Sequence, residues 1–516
     1  MGWFLAALSG TLAAFAHVTR FGDWHLPHLN FLAFFCWVPL FIAMSQSSLR
    51  RIIALSFVAG FFHYAISQYW LYTAIHNFGG LAKVSSIGVM LLLFVFLSFY
   101  FSLIFLISQY LHQKTHLPLL WLRPICWVAI EYLRHNIPAN GYPWSHVAYT
   151  QSNFLTFIQS SDLLGVYLVT FLLILINELI FLFWLNRKDL KSSSLWKMSV
   201  PVLMIVLANF VYGFFSLNFY TAKKPYREFK VGVVQGNIPQ DEKWNRAYHR
   251  RVLQTYQEGT KTLEQQGAEL ILWPEASLPI STFYDADRFS IALGNRKAPV
   301  LLGAITRSVK SQGPLALRAV YNSAMLIDSK QNILGYYHKS RLVPFGEYVP
   351  FKDLLFFARQ LTVAVGNMQA GEVHEPIDYQ DIPLGILICY EDVFPDIARN
   401  SVANGAKVLI NMSNDAWYGY SSAAYQHQAF SQFRAIENRR ALIRATNTGV
   451  SSLIAPTGEI KWQGDLYTHE VRLSNLPFYE GKSIYVMFGD ILPQLSLVFI
   501  GALFVWLMFK KGNQKA

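Results

Sequence analysis

Ile382-Pro383-Leu384-Gly385-Ile386-Leu387-Ile388-Cys389-Tyr390-Glu391 is an apolar run that ends on a thiol and turns polar at once. Its length and Ile/Leu content, bounded by polar residues, predict a buried β-strand. The same grammar recurs upstream. Glu269–Trp273 (ELILW) reads as a strand, and Pro274 takes the chain out of the sheet just before Glu275. Phe229–Gln235, Val300–Ile305, Ser323–Asp328 and Val408–Met412 read as further strands, with helices over Arg246–Gln266 and Tyr425–Ala441. Strands interleaved with helices over this length predict a layered α/β domain. In such sheets ligands gather outside the strand ends, which is where Glu275 and Cys389 fall. Lys339 follows Ile333–His338, a segment whose weak alternation fits strand or loop.

Either side of this segment the chain changes character. It is 516 residues long, 53% hydrophobic and 14% charged, against about 25% charged in ordinary soluble domains. Mean hydropathy is +0.28. A spanning helix needs about 20 mainly apolar residues. Eight stretches qualify approximately: 3–19, 29–46, 52–72, 87–111, 118–134, 162–185, 198–218 and 492–510. Three segments follow: a helical bundle over 1–219 with seven spans, an α/β domain over 220–486, and a last span with a basic tail over 487–516. Ala14-Phe15-Ala16 mimics a signal-peptide cleavage site, but no basic n-region precedes it, so 3–19 reads as a retained helix. Ala6 stands where a myristoylation signal needs Ser or Thr.

Loop charges alternate. Arg50, Arg51, Lys114, Arg187, Lys188, Lys191, Lys197, Lys510, Lys511 and Lys515 collect on one side, against Arg20, Lys83 and Arg134 on the other. The positive-inside rule puts the first set in the cytoplasm and the α/β segment outside it. The net charge of +12 then faces an anionic leaflet, and nucleic acid is not needed as a partner. Cys36, Cys126 and Cys389 form no C-x-x-C pair, so neither zinc nor a disulfide framework is supported. Two loops stand out, His76-Asn77-Phe78-Gly79-Gly80 and Asn140-Gly141-Tyr142-Pro143-Trp144. Turn chemistry with interfacial anchoring is one reading of them, and a lipid entrance is the other.

A carboxylate, an ammonium and a thiol are the parts of covalent acyl transfer. Singly, each is bland: a solvated loop acid, a surface lysine, a buried small hydrophobe. Their order is not. Glu275, then Lys339, then Cys389, resembles the nitrilase (carbon–nitrogen hydrolase) superfamily, whose domains are αββα sandwiches with a Glu-Lys-Cys triad. Within it the chain is similar, nearly end to end, to the bacterial apolipoprotein N-acyltransferase family. The resemblance is carried by Val234–Gln240 with Lys243-Trp244, Trp273-Pro274-Glu275, Lys339, Leu342–Pro350, Cys389-Tyr390-Glu391, Ser413–Gly419 and Thr446–Val450. The apolar flanks and the Gly141-Tyr142-Pro143-Trp144 loop fit as well.

The resemblance implies a multi-pass protein of the bacterial inner membrane with its catalytic domain in the periplasm. It implies transfer of an acyl chain from a phospholipid, phosphatidylethanolamine above all, to the N-terminal amine of diacylglyceryl-cysteine apolipoproteins through a Cys389 thioester. No cofactor or metal is implied, and nothing requires more than a monomer. Glu275 would be the base, Cys389 the nucleophile, and Lys339 with the Tyr390 N–H the oxyanion donors. Trp244, Glu347, Tyr390 and Glu391 are candidates for substrate binding or support. Glu347 orients Lys339 or caps nearby amides. Tyr390 and Glu391 position substrate or pack the turn, and Trp244 is a lid or a helix-entry anchor. Trp417, with Tyr418-Gly419, reads as a loop near the site.

Two rivals remain: a membrane-anchored nitrilase-like amidohydrolase, and a transporter or receptor. The second conflicts with spans that read as nearly free of charge and unduplicated. Arg434, Arg439, Arg440 and Arg444 follow helical spacing, which suits ion pairing with Glu437 or, less readily, phosphate binding. His427 has no partner at metal spacing and reads as structural.

Overall fold

A computed structural model describes residues 1–21, 24–25, 29–139, 141–286, 288–309, 319–348, 368–372 and 375–512. Asn140, Val349, Pro350 and Lys515, all used above, lie outside the described residues. Two compact units emerge: Met1–Tyr72 with Ala82–Thr221 and Phe488–Ala516, and Thr73–Leu81 with Ala222–Met487.

Among the described residues, five helices are long and apolar enough to cross a membrane: Leu49–Ser67, Lys83–Thr115, Val166–Leu185, Ser193–Ala222 and Ile491–Lys510. The other three expected spans fall short for separate reasons. Gly2–Ala16 has 15 residues. The second breaks into a 3-10 turn, Asn30–Phe34, and a short helix, Val38–Met44. Leu119–Asn136 carries Arg123, Glu131 and Arg134, all buried. The expectation of nearly uncharged spans is therefore corrected. Arg123 pairs with Glu178 at 2.6 Å inside the bundle, as intramembrane charges must pair. Arg134 is a helical residue, not a loop one, and donates to the Trp144 carbonyl at 2.7 Å. The Tyr142 hydroxyl donates to Gln68 Oε1, and the Trp70 and Trp144 rings meet at 4.9 Å. These contacts favour anchoring for the 141–144 loop.

The second unit holds two sheets. One runs β12 (Glu470–Phe478), β1 (Arg227–Gln235), β2 (Leu270–Leu272), β3 (Val300–Arg307), β4 (Tyr321–Ile327), β5 (Ile333–His338), and a two-residue strand, Thr282–Phe283, pairs β3 off this path. The other runs β11 (Ile460–Gln463), β10 (Ser452–Ile454), β9 (Leu442–Thr446), β8 (Val408–Ser413), β7 (Ile382–Ile388), β6 (Ile377–Tyr379). The pairs β1–β2, β2–β3, β7–β8 and β8–β9 are parallel. Parallel strands are covered on both faces, which explains why they read as unbroken apolar runs. The sheets meet across Gln235, whose Oε1 accepts from Ser451 at 2.6 Å, and across the Phe229–Tyr379 ring pair at 5.7 Å.

Helix His249–Gln265 lies on the outer face of the first sheet. Its Val252, Tyr256 and Leu263 share a core with Val234, Ile271, Trp273 and Leu302. Helices Pro395–Ala403 and Ala423–Asn438 belong to the second sheet. Helix, sheet, sheet, helix is the expected layered sandwich.

Candidate active site

Glu275 reaches the site because β2 ends early. Trp273 is fully buried, stacks on Tyr256 at 5.0 Å, and its indole N–H donates to Thr260 Oγ1 at 3.0 Å. Pro274 then turns the chain out over β3, and the backbones meet at Gly303. A Cβ at residue 303 would stand 2.4 Å from the Pro274 oxygen and 2.7 Å from the Glu275 Cα. Gly303→Ala must therefore push the Glu275 backbone away. A displacement near 1 Å costs on the order of 10²-fold in a positioned reaction. We expect the single-turnover acylation rate of Gly303→Ala to fall by that order while the protein stays folded by circular dichroism.

Lys339 leaves the end of β5, and its N–H donates to the Asn322 carbonyl on β4 at 2.8 Å. Its ammonium is buried and donates to Glu347 Oε1 at 2.9 Å and Glu275 Oε1 at 3.4 Å. The Asn322 amide donates to the same two carboxylates, at 2.7 Å to Glu275 and 3.0 Å to Glu347. Glu347 Oε2 accepts the Val343 N–H at 2.8 Å. Both readings of Glu347 hold at once: one oxygen orients Lys339 and the other caps the Val343 amide. Burial pulls the Lys339 ammonium towards neutrality, but Glu347 and then Glu275 more than reverse this, so it is held charged. Glu275 Oε2 is buried and accepts no hydrogen bond among the described residues. That oxygen is the one left for a proton. Asn322 was not singled out from sequence; it stands just before the expected strand Ser323–Asp328 and inside the observed one, Tyr321–Ile327.

Cys389 is the first residue of a 3-10 turn, Cys389–Val393, rather than the last of the strand, which stops at Ile388. Its φ of +53° is left-handed, uncommon for a residue with a side chain. Such strain marks sites where the surrounding structure dictates the backbone. Burial pushes the thiol well up, Glu275 pushes it further, and Lys339 opposes both. The resting group is a thiol, so attack requires a base.

Glu391 is a brace. One oxygen accepts from the Tyr337 hydroxyl (2.8 Å), the Ser340 N–H and hydroxyl (2.7 Å each) and the Arg341 N–H (3.3 Å). The other accepts the Ile388 N–H at 2.7 Å. It ties the segment carrying Lys339 to the turn carrying Cys389, with both oxygens occupied. Tyr390 is buried with its ring edge-on to Phe394 at 5.0 Å. Trp244 is 42% exposed at the end of a one-turn helix, Gln240–Lys243. Its neighbour Lys243 is buried and donates to the Glu275 carbonyl at 3.1 Å. Burial lowers the Lys243 ammonium to about 8 against the pull of Glu275 and Cys389. Trp417 packs edge-on against Phe78 at 5.1 Å, so the His76–Gly80 loop belongs with this unit.

The arginine run is corrected. Only Arg434 lies within helix Ala423–Asn438; Arg439 ends it in a left-handed turn and Arg444 sits on β9. All four are buried. Arg434 pairs with Glu437 at 2.8 Å, and Arg444 with Asp392 at 2.6 Å and Asp415 at 3.5 Å. Ion pairing holds for Arg434 and Arg444, while Arg439 donates to the Pro456 carbonyl and Arg440 to those of Ala406 and Gly481.

His427 lies between those two acids. Its Nδ1 is 2.9 Å from Asp415 Oδ1 and its Nε2 2.7 Å from Asp392 Oδ1. Ionised carboxylates only accept, so both ring nitrogens donate and the ring is an imidazolium. The charges then close: two carboxylates, one guanidinium, one imidazolium. Burial opposes that charge, but Asp392 and Asp415 overcome it and raise the group from 6.5 to about 9, with Arg444 pulling the other way. Asp415 is correspondingly lowered against its own burial, by His427 first. A base held above its unfolded value stabilises fully below pH 6.5, and that contribution is lost as pH rises through about 9. A shift of this size amounts to roughly 3 kcal/mol. We expect the thermal midpoint to decline between those two values and His427→Gln to lie lower at pH 6.5 with a flatter dependence, measured by scanning fluorimetry in one detergent.

The chain is similar to known proteins along most of its length. Residues 9–179 match the apolipoprotein N-acyltransferase N-terminal domain, and residues 230–480 the carbon-nitrogen hydrolases. The apolipoprotein N-acyltransferase of Geobacter metallireducens is 32% identical over 492 residues, covering 95% of this chain and 92% of that protein. Its counterpart in Nostoc is 29% identical over 499 residues, covering 91% and 94%. Among solved structures, Nit3 of Saccharomyces cerevisiae, in the nitrilase superfamily, is 18% identical with a TM-score of 0.37, covering 50% of this chain and 92% of that one.

Proposed function

The chain belongs to the apolipoprotein N-acyltransferase family and is a multi-pass membrane acyltransferase, and we propose that it works by a Cys389 thioester served by Glu275 and Lys339. The observation that supports this best is a charged Lys339 held by Glu275 and Glu347 beside a thiol kept protonated, with Glu275 Oε2 unoccupied.

The first half-reaction takes an acyl ester of a membrane phospholipid, phosphatidylethanolamine being the expected donor. Glu275 accepts the thiol proton as Sγ attacks the ester carbonyl carbon. Negative charge moves onto the carbonyl oxygen, which the Lys339 ammonium and the Tyr390 N–H receive. Collapse breaks the ester C–O bond. Glu275 returns its proton to the departing lysophospholipid oxygen, and the acyl group stays on Cys389. In the second half the free α-amine of a diacylglyceryl-cysteine apolipoprotein attacks the thioester carbon. Glu275 takes the amine proton, the C–S bond breaks, and that proton returns to sulfur. The products are a lysophospholipid and an amide.

Placement at the periplasmic face of the inner membrane is part of the same reading. It rests on the lysines and arginines at one set of helix ends and on substrates that are themselves membrane-anchored. A monomer suffices, since Glu275, Lys339 and Cys389 come from one chain. The test is an intact mass of purified protein given phosphatidylethanolamine alone, then a diacylated lipopeptide. A fatty-acyl adduct mapped to Cys389 and discharged by the lipopeptide is the expected result. Release of free fatty acid without acylated peptide would favour the hydrolase instead.

A further inference from the structure

A thioester-forming site needs its oxyanion donors aimed before the charge appears. One donor, the Tyr390 N–H, belongs to the peptide that joins it to Cys389. That peptide's other face is held. The Cys389 carbonyl accepts the Asn411 amide at 3.2 Å and, at 3.3 Å, shares the His427 Nε2–H with the nearer Asp392 Oδ1 at 2.7 Å. Both holders are fully buried. Asn411 sits in the middle of β8, the parallel neighbour of β7. His427 is fixed in turn by Asp392 and Asp415, which Arg444 joins from β9. The Tyr418 ring stands edge-on to the imidazolium at 6.3 Å.

A trans peptide is planar, with N–H and C=O pointing in opposite directions. Fixing the Cys389 carbonyl against Asn411 and His427 therefore fixes the Tyr390 N–H on the opposite side. The left-handed φ of Cys389 is the kind of strain that needs such restraint. We propose that Asn411 and His427 are positioning residues that clamp the Cys389–Tyr390 peptide so that the Tyr390 N–H is presented to the thioester oxyanion. Neither touches substrate. The inference rests on the reading of Cys389 as nucleophile and Tyr390 N–H as oxyanion donor.

The test compares two reactions of the same sulfur in the full-length, detergent-solubilised protein. Acylation by phosphatidylethanolamine passes through an oxyanion; alkylation by iodoacetamide does not. Both rates are read at Cys389 by peptide mass mapping at one pH. Asn411→Leu is the deciding variant because it removes a donor without changing charge. It should slow acylation at saturating lipid at least tenfold, towards the 10²–10³ known for losing an oxyanion donor outright, while alkylation stays within about twofold. His427→Gln should slow acylation likewise, and it stands in if Asn411→Leu does not fold. Acylation at the wild-type rate, or a parallel fall in both rates, overturns the clamp. A wild-type protein that gives no Cys389 adduct with phospholipid fails the parent reading instead, and is distinguished by that.

Discussion

Cys389→Ala is expected to bind phospholipid and lipopeptide yet form no acyl-enzyme and no N-acylated product, a loss of at least about 10⁴-fold in turnover. The argument is chemical. In the proposed mechanism both half-reactions pass through sulfur, so no residual pathway shares the site's machinery. The Lys339 ammonium would still polarise an ester and Glu275 could still take a proton, but an amine held in membrane would have to attack the ester directly, without the covalent step that splits one hard reaction into two easier ones. The fold should tolerate the change. Cys389 contributes a small side chain at a turn whose geometry is set by Glu391, Asn411 and His427. Intact mass after incubation with phosphatidylethanolamine reads the first half, and mass of the lipopeptide reads the second. If Cys389→Ala still N-acylated the lipopeptide at a comparable rate, the thioester mechanism would be wrong.

Why Glu275 and Cys389 were legible in the chain, and their partners less so, has a physical cause. Each lies just past the end of a buried strand that has a parallel neighbour, and such strands announce themselves as apolar runs. Lys339 follows β5, a half-exposed outer strand whose burial alternates imperfectly, so strand and loop could not be told apart. Asn322 and Asn411 are single amides beside or inside strands that read as hydrophobic; their roles exist only once neighbouring strands bring Glu275 or the Cys389 carbonyl alongside. The four arginines show the opposite failure. Their spacing imitates a helix face, yet Arg439 breaks the helix and Arg444 lies on β9. In the helical unit, hydropathy was enough for the long spans. It read Leu119–Asn136 as an ordinary span because an average over many apolar residues dilutes the charges of Arg123, Glu131 and Arg134. That Thr73–Leu81 belongs with the catalytic unit is not written in the unusual His76–Gly80 sequence alone, since it depends on Phe78 meeting Trp417.

Lys339→Met should damage stability and chemistry together, and pH separates the two. The wild-type ammonium neutralises Glu275 and Glu347, both buried and both hydrogen-bonded to the one Asn322 amide. Methionine matches the length of the stem and removes the charge. Two carboxylates are then left facing each other with a single neutral donor between them, and breaking one partner from a buried charge set costs about 3–5 kcal/mol. Repulsion of this kind is relieved by taking up a proton. The stability deficit should therefore be largest at alkaline pH and shrink as pH falls, read as the difference in thermal midpoint from wild type at pH 5.5 and pH 8.5. Activity does not recover in parallel. The proton that relieves the repulsion occupies the carboxylate meant to receive the one from Cys389, and an oxyanion donor is gone, so acylation should drop by about 10³-fold or more at either pH. Lys339→Arg sharpens the distinction. It keeps the charge, and with it most of the midpoint, but a planar fork cannot replace a compact ammonium that bridges Glu347 at 2.9 Å and Glu275 at 3.4 Å. A stable but slow Lys339→Arg would mean that position, as well as charge, is what Lys339 supplies. An unaltered midpoint with a normal acylation rate in Lys339→Met would remove the residue from both roles.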